Sequence, residues 1–135
     1  MKQELQEKLY KTYPSIFKQK DLTCQETAMC WGFACDDGWY TLIDELCGNI
    51  ENRLQNVNRN KPKDDHLICE AVQVKEKFGG LRFYIYGGDD YISGLIDLAE
   101  SLSCHICSKC GNKSDHVNKI DRGWIHTLCT ECKKE

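Results

Sequence analysis

Two stretches in the first half of the chain carry apolar residues at the spacing of an amphipathic helix. The first, residues 2–12, places Leu5 and Leu9 on one face and ends before Pro14, which disfavours helix at the preceding position. The second follows Asp36-Asp37, where either aspartate can act as the N-cap, and continues to about residue 56. Its apolar positions are Trp39, Leu42, Ile43, Leu46, Cys47, Ile50, Leu54 and Val57.

A third helix is predicted for about residues 91–103, after Gly87-Gly88 and a cap at Asp89 or Asp90. Its apolar positions are Ile92, Leu95, Ile96, Ala99 and Leu102. Between the helices, residues 15–35 have no clean period and are expected to form a loop with one helical turn. Residues 57–66 are polar and predict a linker.

Residues 67–86 predict a β-hairpin, with Gly79-Gly80 as its two-residue turn. Pairing across that turn sets Phe78 opposite Leu81 and Lys77 opposite Arg82, two like charges that destabilise each other mildly. The alternation predicts a buried face formed by Val72, Val74, Phe78, Leu81, Phe83 and Ile85. It predicts an outer face formed by Gln73, Lys75, Lys77, Arg82, Tyr84 and Tyr86.

The outer face of the hairpin has two interpretations. Cations beside tyrosines can contact a phosphate and stack a base, which makes this face a candidate site for a nucleotide or nucleic acid. The candidate ligand-binding residues are Lys75, Lys77, Arg82, Tyr84 and Tyr86. The alternative is a solvated surface on which long aliphatic stems cover the tyrosine rings.

Length, composition and charge change this picture in four respects. A length of 135 residues predicts one domain with at most a small appended lobe. The chain has no transmembrane run, and its polar start does not resemble a signal peptide, so no membrane association is expected. Ten cysteines without a secretory signal favour reduced thiols, metal ligation and the cytoplasm. The net charge of −3 predicts no general affinity for polyanions.

The strongest chemical signal is a pair of CxxC motifs near the end of the chain. Cys107 and Cys110 are followed, after eighteen intervening residues, by Cys129 and Cys132. Each motif supplies two sulfurs from one tight turn, and four thiolates complete a tetrahedral zinc site without a position for water. Few apolar residues accompany them, so the metal would supply the folding energy of this segment. We therefore predict one structural Zn²⁺.

Other cysteines leave alternatives open. Cys104 lies three residues before Cys107, so Cys104-x-x-Cys107 is a rival first pair, although Gly111 favours a knuckle at Cys107 and Cys110. A second metal site could use upstream residues at irregular intervals, namely Cys24, Cys30, Cys35, Cys47, Cys69 and His66. Cys47 and Cys69 lie on apolar stripes, which favours small core residues.

The order of the last segment is typical of a treble-clef zinc module. A cysteine knuckle is followed by a hairpin, with 117–120 and 124–128 pairing around Asp121-Arg122-Gly123, and then by the second cysteine pair at a short helix. We therefore predict an α+β fold with about three helices, the antiparallel hairpin 67–86 as its sheet, and a treble-clef-like zinc lobe. Residues 1–103 form the core, and residues 104–135 form a lobe packed on it.

Three short segments of the chain resemble parts of the treble-clef phage recombination endonucleases. They are Asp115-His116, Arg122-Gly123 and Leu128-Cys129. The resemblance implies a nuclease with a histidine-bound metal. The chain departs from that pattern because it has one Asp-His pair in place of a cluster and Lys133 where asparagine is expected. The implied active site is therefore expected to be degenerate.

A broader resemblance covers about residues 30–132. Within this range, several segments resemble small uncharacterised zinc-binding proteins of phages and prophages. These segments are Asp37-Gly38-Trp39-Tyr40, residues 42–47, residues 73–84, the Cys107-x-x-Cys110-Gly111 knuckle, Gly123-Trp124-Ile125 and Leu128-Cys129. This family carries no established activity. It implies an accessory protein of the host-cell cytoplasm, acting against a host protein or host defence.

Three functions follow from these observations. The preferred one is a non-enzymatic zinc-binding protein whose hairpin face binds a nucleotide or nucleic acid. The second is an adaptor or inhibitor of a host protein that uses Trp31, Trp39 or Trp124 as anchors. The third is the degenerate nuclease, with His116 in the metal site. The sequence makes no prediction of oligomeric state.

Overall fold

The computed structural model describes residues 1–114 and 118–135 and has the predicted mixed α+β fold. Its helices are α1 (Gln3–Thr12), α2 (Tyr40–Asn58), α3 (Asp90–Ser103) and α4 (Thr130–Lys134). Its strands are β1 (Phe33–Ala34), β2 (Cys69–Lys77), β3 (Gly80–Gly87), β4 (Asn118–Asp121) and β5 (Trp124–Thr127). Within the described residues, no helix has the length and apolar character needed to cross a membrane.

The main sheet has three strands in the order β1-β2-β3. β2 and β3 are antiparallel, as predicted, but β1 runs parallel to β2, with Phe33 beside Val74. This strand comes from residues 15–35, which the sequence predicts as a loop. Its two residues are too few for a periodic signal, and only pairing with β2 makes them a strand.

The hairpin turn lies one residue earlier than predicted. Phe78 and Gly79 both have positive φ, 54° and 79°, which is the two-residue turn whose twist matches that of the strands. Lys77 therefore pairs with Gly80, and Arg82 lies opposite Lys75 instead of Lys77. The predicted opposition of Lys77 and Arg82 is wrong, although two cations still face each other across the strands.

The new register also changes which residues are buried. A bulge between Ala71 and Gln73 inserts one extra residue into β2. Ala71 and Val74, which are three positions apart, therefore both face the core. Phe78, predicted to be buried, lies in the turn and is 75% exposed, and Val72 and Ile85 are only partly buried. The buried face consists of Cys69, Ala71, Val74, Leu81 and Phe83.

Helix α3 covers the outer edge of β3. The Leu81 amide donates to Ser103 Oγ (2.8 Å), and the Phe83 amide donates to Glu100 Oε1 (3.0 Å). These side chains satisfy backbone donors that would otherwise form an open sheet edge. The contact also holds β3 at a defined position along α3.

The core joins α1, α2, α3 and the inner face of the sheet. Phe17 lies at its centre, with ring centroids 5.3 Å from Phe33 and 6.5 Å from Phe83. Cys47 and Cys69 are core residues, as predicted, and burial raises the pKa of both thiols. Both cysteines therefore act as small apolar groups.

The predicted helix caps have different outcomes. Asp89 caps α3, because its Oδ1 accepts a hydrogen bond from the Ile92 amide at 2.9 Å. At the start of α2, neither Asp36 nor Asp37 makes a side-chain cap bond. Residues Asp37–Trp39 form a 3-10 turn there, and Asp37 Oδ1 accepts from the Lys2 amide (2.7 Å) instead. The capping prediction for α2 is therefore wrong.

Candidate metal centre

The first cysteine pair lies on a knuckle held by its own backbone. The Cys107 amide donates to the Asn112 carbonyl (2.8 Å), and the Gly111 amide donates to the Cys107 carbonyl (2.9 Å). Gly111 has a φ of 82°, a conformation in which glycine avoids the strain of a side chain. The tight turn that the sequence predicts after Cys110 is therefore present.

The second pair lies at the start of α4. Cys129 occupies the N-cap position and Cys132 lies in the first turn, and the Lys133 amide donates to the Cys129 carbonyl (3.0 Å). Before it, β4 and β5 pair around Arg122 and Gly123, whose φ values of 49° and 88° form a tight hairpin turn. The order of knuckle, hairpin and helix agrees with a treble-clef-like lobe.

The four sulfur atoms of Cys107, Cys110, Cys129 and Cys132 lie within 4.8 Å of one another. The Cys110 and Cys129 sulfurs are 3.6 Å apart. A tetrahedral zinc with Zn–S bonds of about 2.3 Å has sulfur–sulfur edges of about 3.8 Å, so this spacing fits the metal. Four thiolates leave no open coordination position, and the arrangement fits a single structural zinc.

The electrostatics of the cluster favour a cation. Burial raises the pKa of Cys107, but backbone amides of Cys129, Cys110 and Lys109 point at its sulfur and bring the pKa down to about 7. Desolvation and the three neighbouring sulfurs raise the pKa of Cys132 to about 12. A divalent ion removes this mutual repulsion, since metal ligands bind as thiolates.

The knuckle is docked on the residues that precede α2. The Gly38 amide donates to the Ser108 carbonyl (2.8 Å), and Trp39 Nε1 donates to the Ile106 carbonyl (3.0 Å). A Cβ on Gly38 would lie 2.2 Å from the Cys107 carbonyl oxygen, so only glycine permits this approach. No local sequence pattern links residue 38 to residue 108, so this contact could not be predicted from the sequence.

The lobe also contacts the turn between β2 and β3. Thr127 Oγ1 donates to the Gly79 carbonyl (2.6 Å), and His126 Nδ1 lies 3.2 Å from a carboxylate oxygen of Glu76. Burial raises the pKa of the Glu76 carboxyl, and the adjacent His126 ring opposes that rise. The metal lobe therefore contacts the same hairpin that carries the candidate ligand-binding face.

The remaining cysteines do not join the cluster. The Cys104 sulfur lies 3.9 Å from the Glu100 carbonyl, and Cys104 is not among the clustered ligands. Cys24 and Cys30 form a disulfide, so the expectation of reduced thiols is wrong for this pair. Burial raises the pKa of Cys35 to about 12. Among residues 1–114 and 118–135, no second group of three or more metal-ligating side chains is found.

The outer face of the sheet presents the predicted cations and tyrosines together. Lys75 lies opposite Arg82, and its ammonium is 6.0 Å from the centroid of the Tyr84 ring. Tyr86 is 61% exposed, and the Lys77 ammonium lies 5.6 Å from the centroid of Phe78. In the part of the chain that the structure describes, Lys75, Lys77 and Arg82 make no ion pair.

The three tryptophans differ sharply in exposure. Trp31 and Trp124 are 74% and 70% exposed, whereas Trp39 is fully buried between the knuckle and the core. The prediction of Trp39 as an interface anchor is therefore wrong. Asp115-His116, on which the nuclease prediction depends, lies outside the described residues.

In comparisons with known proteins, no family model, no curated protein and no solved structure matches this chain.

Proposed function

We propose that this chain is a non-enzymatic zinc-binding protein whose outer sheet face binds single-stranded nucleic acid. The observation that carries the proposal is the pairing of Lys75 with Arg82 on a face that also exposes Tyr84 and Tyr86. Unpaired cations attract phosphates, and exposed aromatic rings stack bases without regard to sequence.

The face suits an extended ligand. Lys75 and Arg82 come from neighbouring strands, and Tyr84 and Tyr86 continue along β3 with the two-residue period that places alternate side chains on one face. Successive nucleotides along a single strand could therefore meet cations at one end and tyrosine rings at the other.

Zinc has a supporting role in this proposal. The lobe contacts the β2–β3 turn through Thr127 and Gly79, next to the exposed Lys77 and Phe78. A metal held by four thiolates supplies no catalysis, but it orders the lobe and thereby the turn. Loss of zinc is expected to weaken binding without removing any residue of the face.

The test measures the anisotropy of a labelled oligothymidylate of about ten nucleotides, titrated with zinc-loaded protein. Lys75→Glu combined with Arg82→Glu should abolish binding. Each single variant, Lys75→Glu or Arg82→Glu, should bind more weakly and lower the slope of log K against log salt by about 0.7, the contribution of one phosphate contact on a single strand.

The matched control is Lys8→Glu combined with Lys11→Glu, which makes the same charge change on α1, away from the sheet face. This variant should bind as the wild type does. Equal losses in both double variants would mean that net charge, and not the sheet face, governs the affinity, and the proposal would fail.

A second candidate is binding to a protein, favoured by the exposure of Trp31 and Trp124. Tryptophan is frequent among the residues that dominate protein interfaces. The role against a host protein implied by the phage resemblance belongs to this candidate. A partner retained on immobilised wild-type protein at high salt but lost from Trp124→Ala would support it, because phosphate contacts weaken steeply with salt.

A further inference from the structure

A cleft of about 480 Å³ lies at the opposite end of β2 from the zinc lobe. Its walls come from three separate segments: the chain after α1, the C-terminal half of α2, and the linker that leads into β2. The volume is within the range of about 300–1,000 Å³ that small-molecule sites occupy. Part of this wall, residues 57–66, is the segment that the sequence predicts as a polar linker.

The floor of the cleft is apolar. Leu54 and Cys69 are buried there, Leu67 is half-buried, and Ile68 remains 43% exposed at the surface. An exposed isoleucine beside half-buried leucine offers area that an apolar group can cover. Burial of such area favours the binding of an apolar group, since it removes apolar surface from water.

The rim of the cleft carries three cations: Lys18, Arg59 and Lys63. None of them forms an ion pair with the part of the chain that is described, although an Arg59 nitrogen donates to Asn56 Oδ1 at 3.2 Å. Two carboxylates also line the cleft, and one of them, Glu51, accepts a hydrogen bond from Ser15. The rim is thus net positive in a protein of net charge −3.

The linker that holds two of these cations is pinned in place. Asn58 Nδ2 donates to the Leu67 carbonyl (2.9 Å), and the Leu67 amide donates to Asn58 Oδ1 (2.7 Å), which closes the linker at its base. His66 Nε2 lies 2.9 Å from the Lys61 carbonyl across the same loop. Less conformational entropy is therefore lost when a ligand binds this wall.

We propose that this cleft binds a small phosphorylated molecule that carries an aromatic or apolar group, the class represented by a nucleoside monophosphate. The apolar group covers Leu67 and Ile68 on the floor, and the phosphate contacts Arg59, Lys63 and Lys18 at the rim. Arginine and lysine are the usual phosphate partners, and only a ligand with both parts uses both surfaces. The site is distinct from the sheet face proposed for single-stranded nucleic acid.

The experiment titrates the full-length, zinc-loaded protein with adenosine monophosphate, adenosine and inorganic phosphate, each followed by calorimetry and by amide chemical shifts. The monophosphate should bind at least about ten-fold more tightly than either half, since each half uses one surface. The shifts should be confined to residues 15–18 and 51–70, the segments that line the cleft. Absence of saturable binding, or shifts confined to residues 73–86, would overturn the proposal.

Variants separate this cleft from other basic surfaces. Arg59→Glu combined with Lys63→Glu should reduce the affinity for the monophosphate at least about ten-fold. Lys61 lies in the same loop but does not line the cleft, so Lys61→Glu should bind the monophosphate normally. Lys75→Glu with Arg82→Glu should also bind the monophosphate normally while losing the oligonucleotide. Equal loss in Lys61→Glu would refute the assignment.

Discussion

The Gly38 amide donates a hydrogen bond to the carbonyl oxygen of Ser108, and this 2.8 Å contact joins the start of α2 to the zinc knuckle. It connects two motifs that are seventy residues apart in the sequence, Asp37-Gly38-Trp39 and Cys107-x-x-Cys110-Gly111. Gly111 completes the contact from the other side, since a Cβ there would lie 3.0 Å from the Gly38 carbonyl oxygen. The glycine of each motif is therefore required by the close approach of the other motif's backbone.

Gly38→Ala should destabilise the protein and weaken zinc binding. The added Cβ would lie 2.2 Å from the Cys107 carbonyl oxygen and 2.5 Å from that of Ser108, and backbone cannot move aside as a side-chain end can. We expect a loss of at least about 2 kcal/mol in the free energy of unfolding, measured by urea denaturation with zinc present.

Gly94→Ala is the matched control for this variant. Gly94 lies within α3, and a Cβ there meets no atom within 4 Å among the described residues. Alanine should therefore stabilise the protein by about 0.5–1 kcal/mol through helix propensity. If Gly38→Ala matched Gly94→Ala, the close approach of the knuckle would be wrong.

Removal of zinc should unfold the lobe before the core. Within the described residues, the lobe's own buried cluster contains Leu128 and three of the ligands, Cys107, Cys129 and Cys132, whereas the core is built around Phe17 and Trp39. Chelation should expose the amides of β5 and α4 to hydrogen exchange while those of β2 and β3 stay protected. Native mass spectrometry should count one zinc ion before chelation.

Two cysteine substitutions distinguish the ligand set. Cys129→Ser removes a sulfur from the cluster and should abolish stoichiometric zinc binding, while Cys104→Ser should retain one zinc, because Cys104 is not among the clustered ligands. Loss of zinc from Cys104→Ser would contradict the assignment of the first pair to Cys107 and Cys110.

Replacing each of two buried serines by alanine should have different effects on the free energy of unfolding. Ser103 Oγ accepts from the Leu81 amide and donates to the Glu100 carbonyl, so Ser103→Ala should cost about 1–3 kcal/mol. Ser108 Oγ is buried and has no hydrogen-bond partner in the described part of the chain. Ser108→Ala should therefore leave the free energy of unfolding unchanged or raise it. The reverse order in thermal denaturation would contradict these hydrogen-bond assignments.

Asp89→Ala should destabilise α3 by about 0.5–2 kcal/mol, the usual effect of removing an N-cap. The Ile92 amide and the Arg53 guanidinium lower the pKa of Asp89, so its stabilisation is complete above the unfolded pKa of about 3.9 and is lost only as pH falls below it. The difference from wild type should therefore be constant from pH 6 to pH 8. Asp90→Ala, at an exposed position of the same turn, should have a smaller effect.

Local patterns in the sequence are enough to predict the three long helices and the four clustered cysteines. Apolar residues at a period of 3.6 mark the buried stripe of a helix wherever it packs, as Ile43, Leu46 and Ile50 do in α2. Cysteine spacing is equally local, because each CxxC turn presents two sulfurs whatever surrounds it.

Tertiary contacts decided the strand register, the parallel strand β1 and the burial of Trp39. The run Phe78-Gly79-Gly80 permits two adjacent turns. The observed turn is held by two hydrogen bonds, one donated by the Leu81 amide to Ser103 Oγ and one donated by Thr127 Oγ1 to the Gly79 carbonyl. A one-residue shift reverses which side chains face the core. Since these bonds join residues 22 and 48 positions apart, no local pattern could select between the two turns.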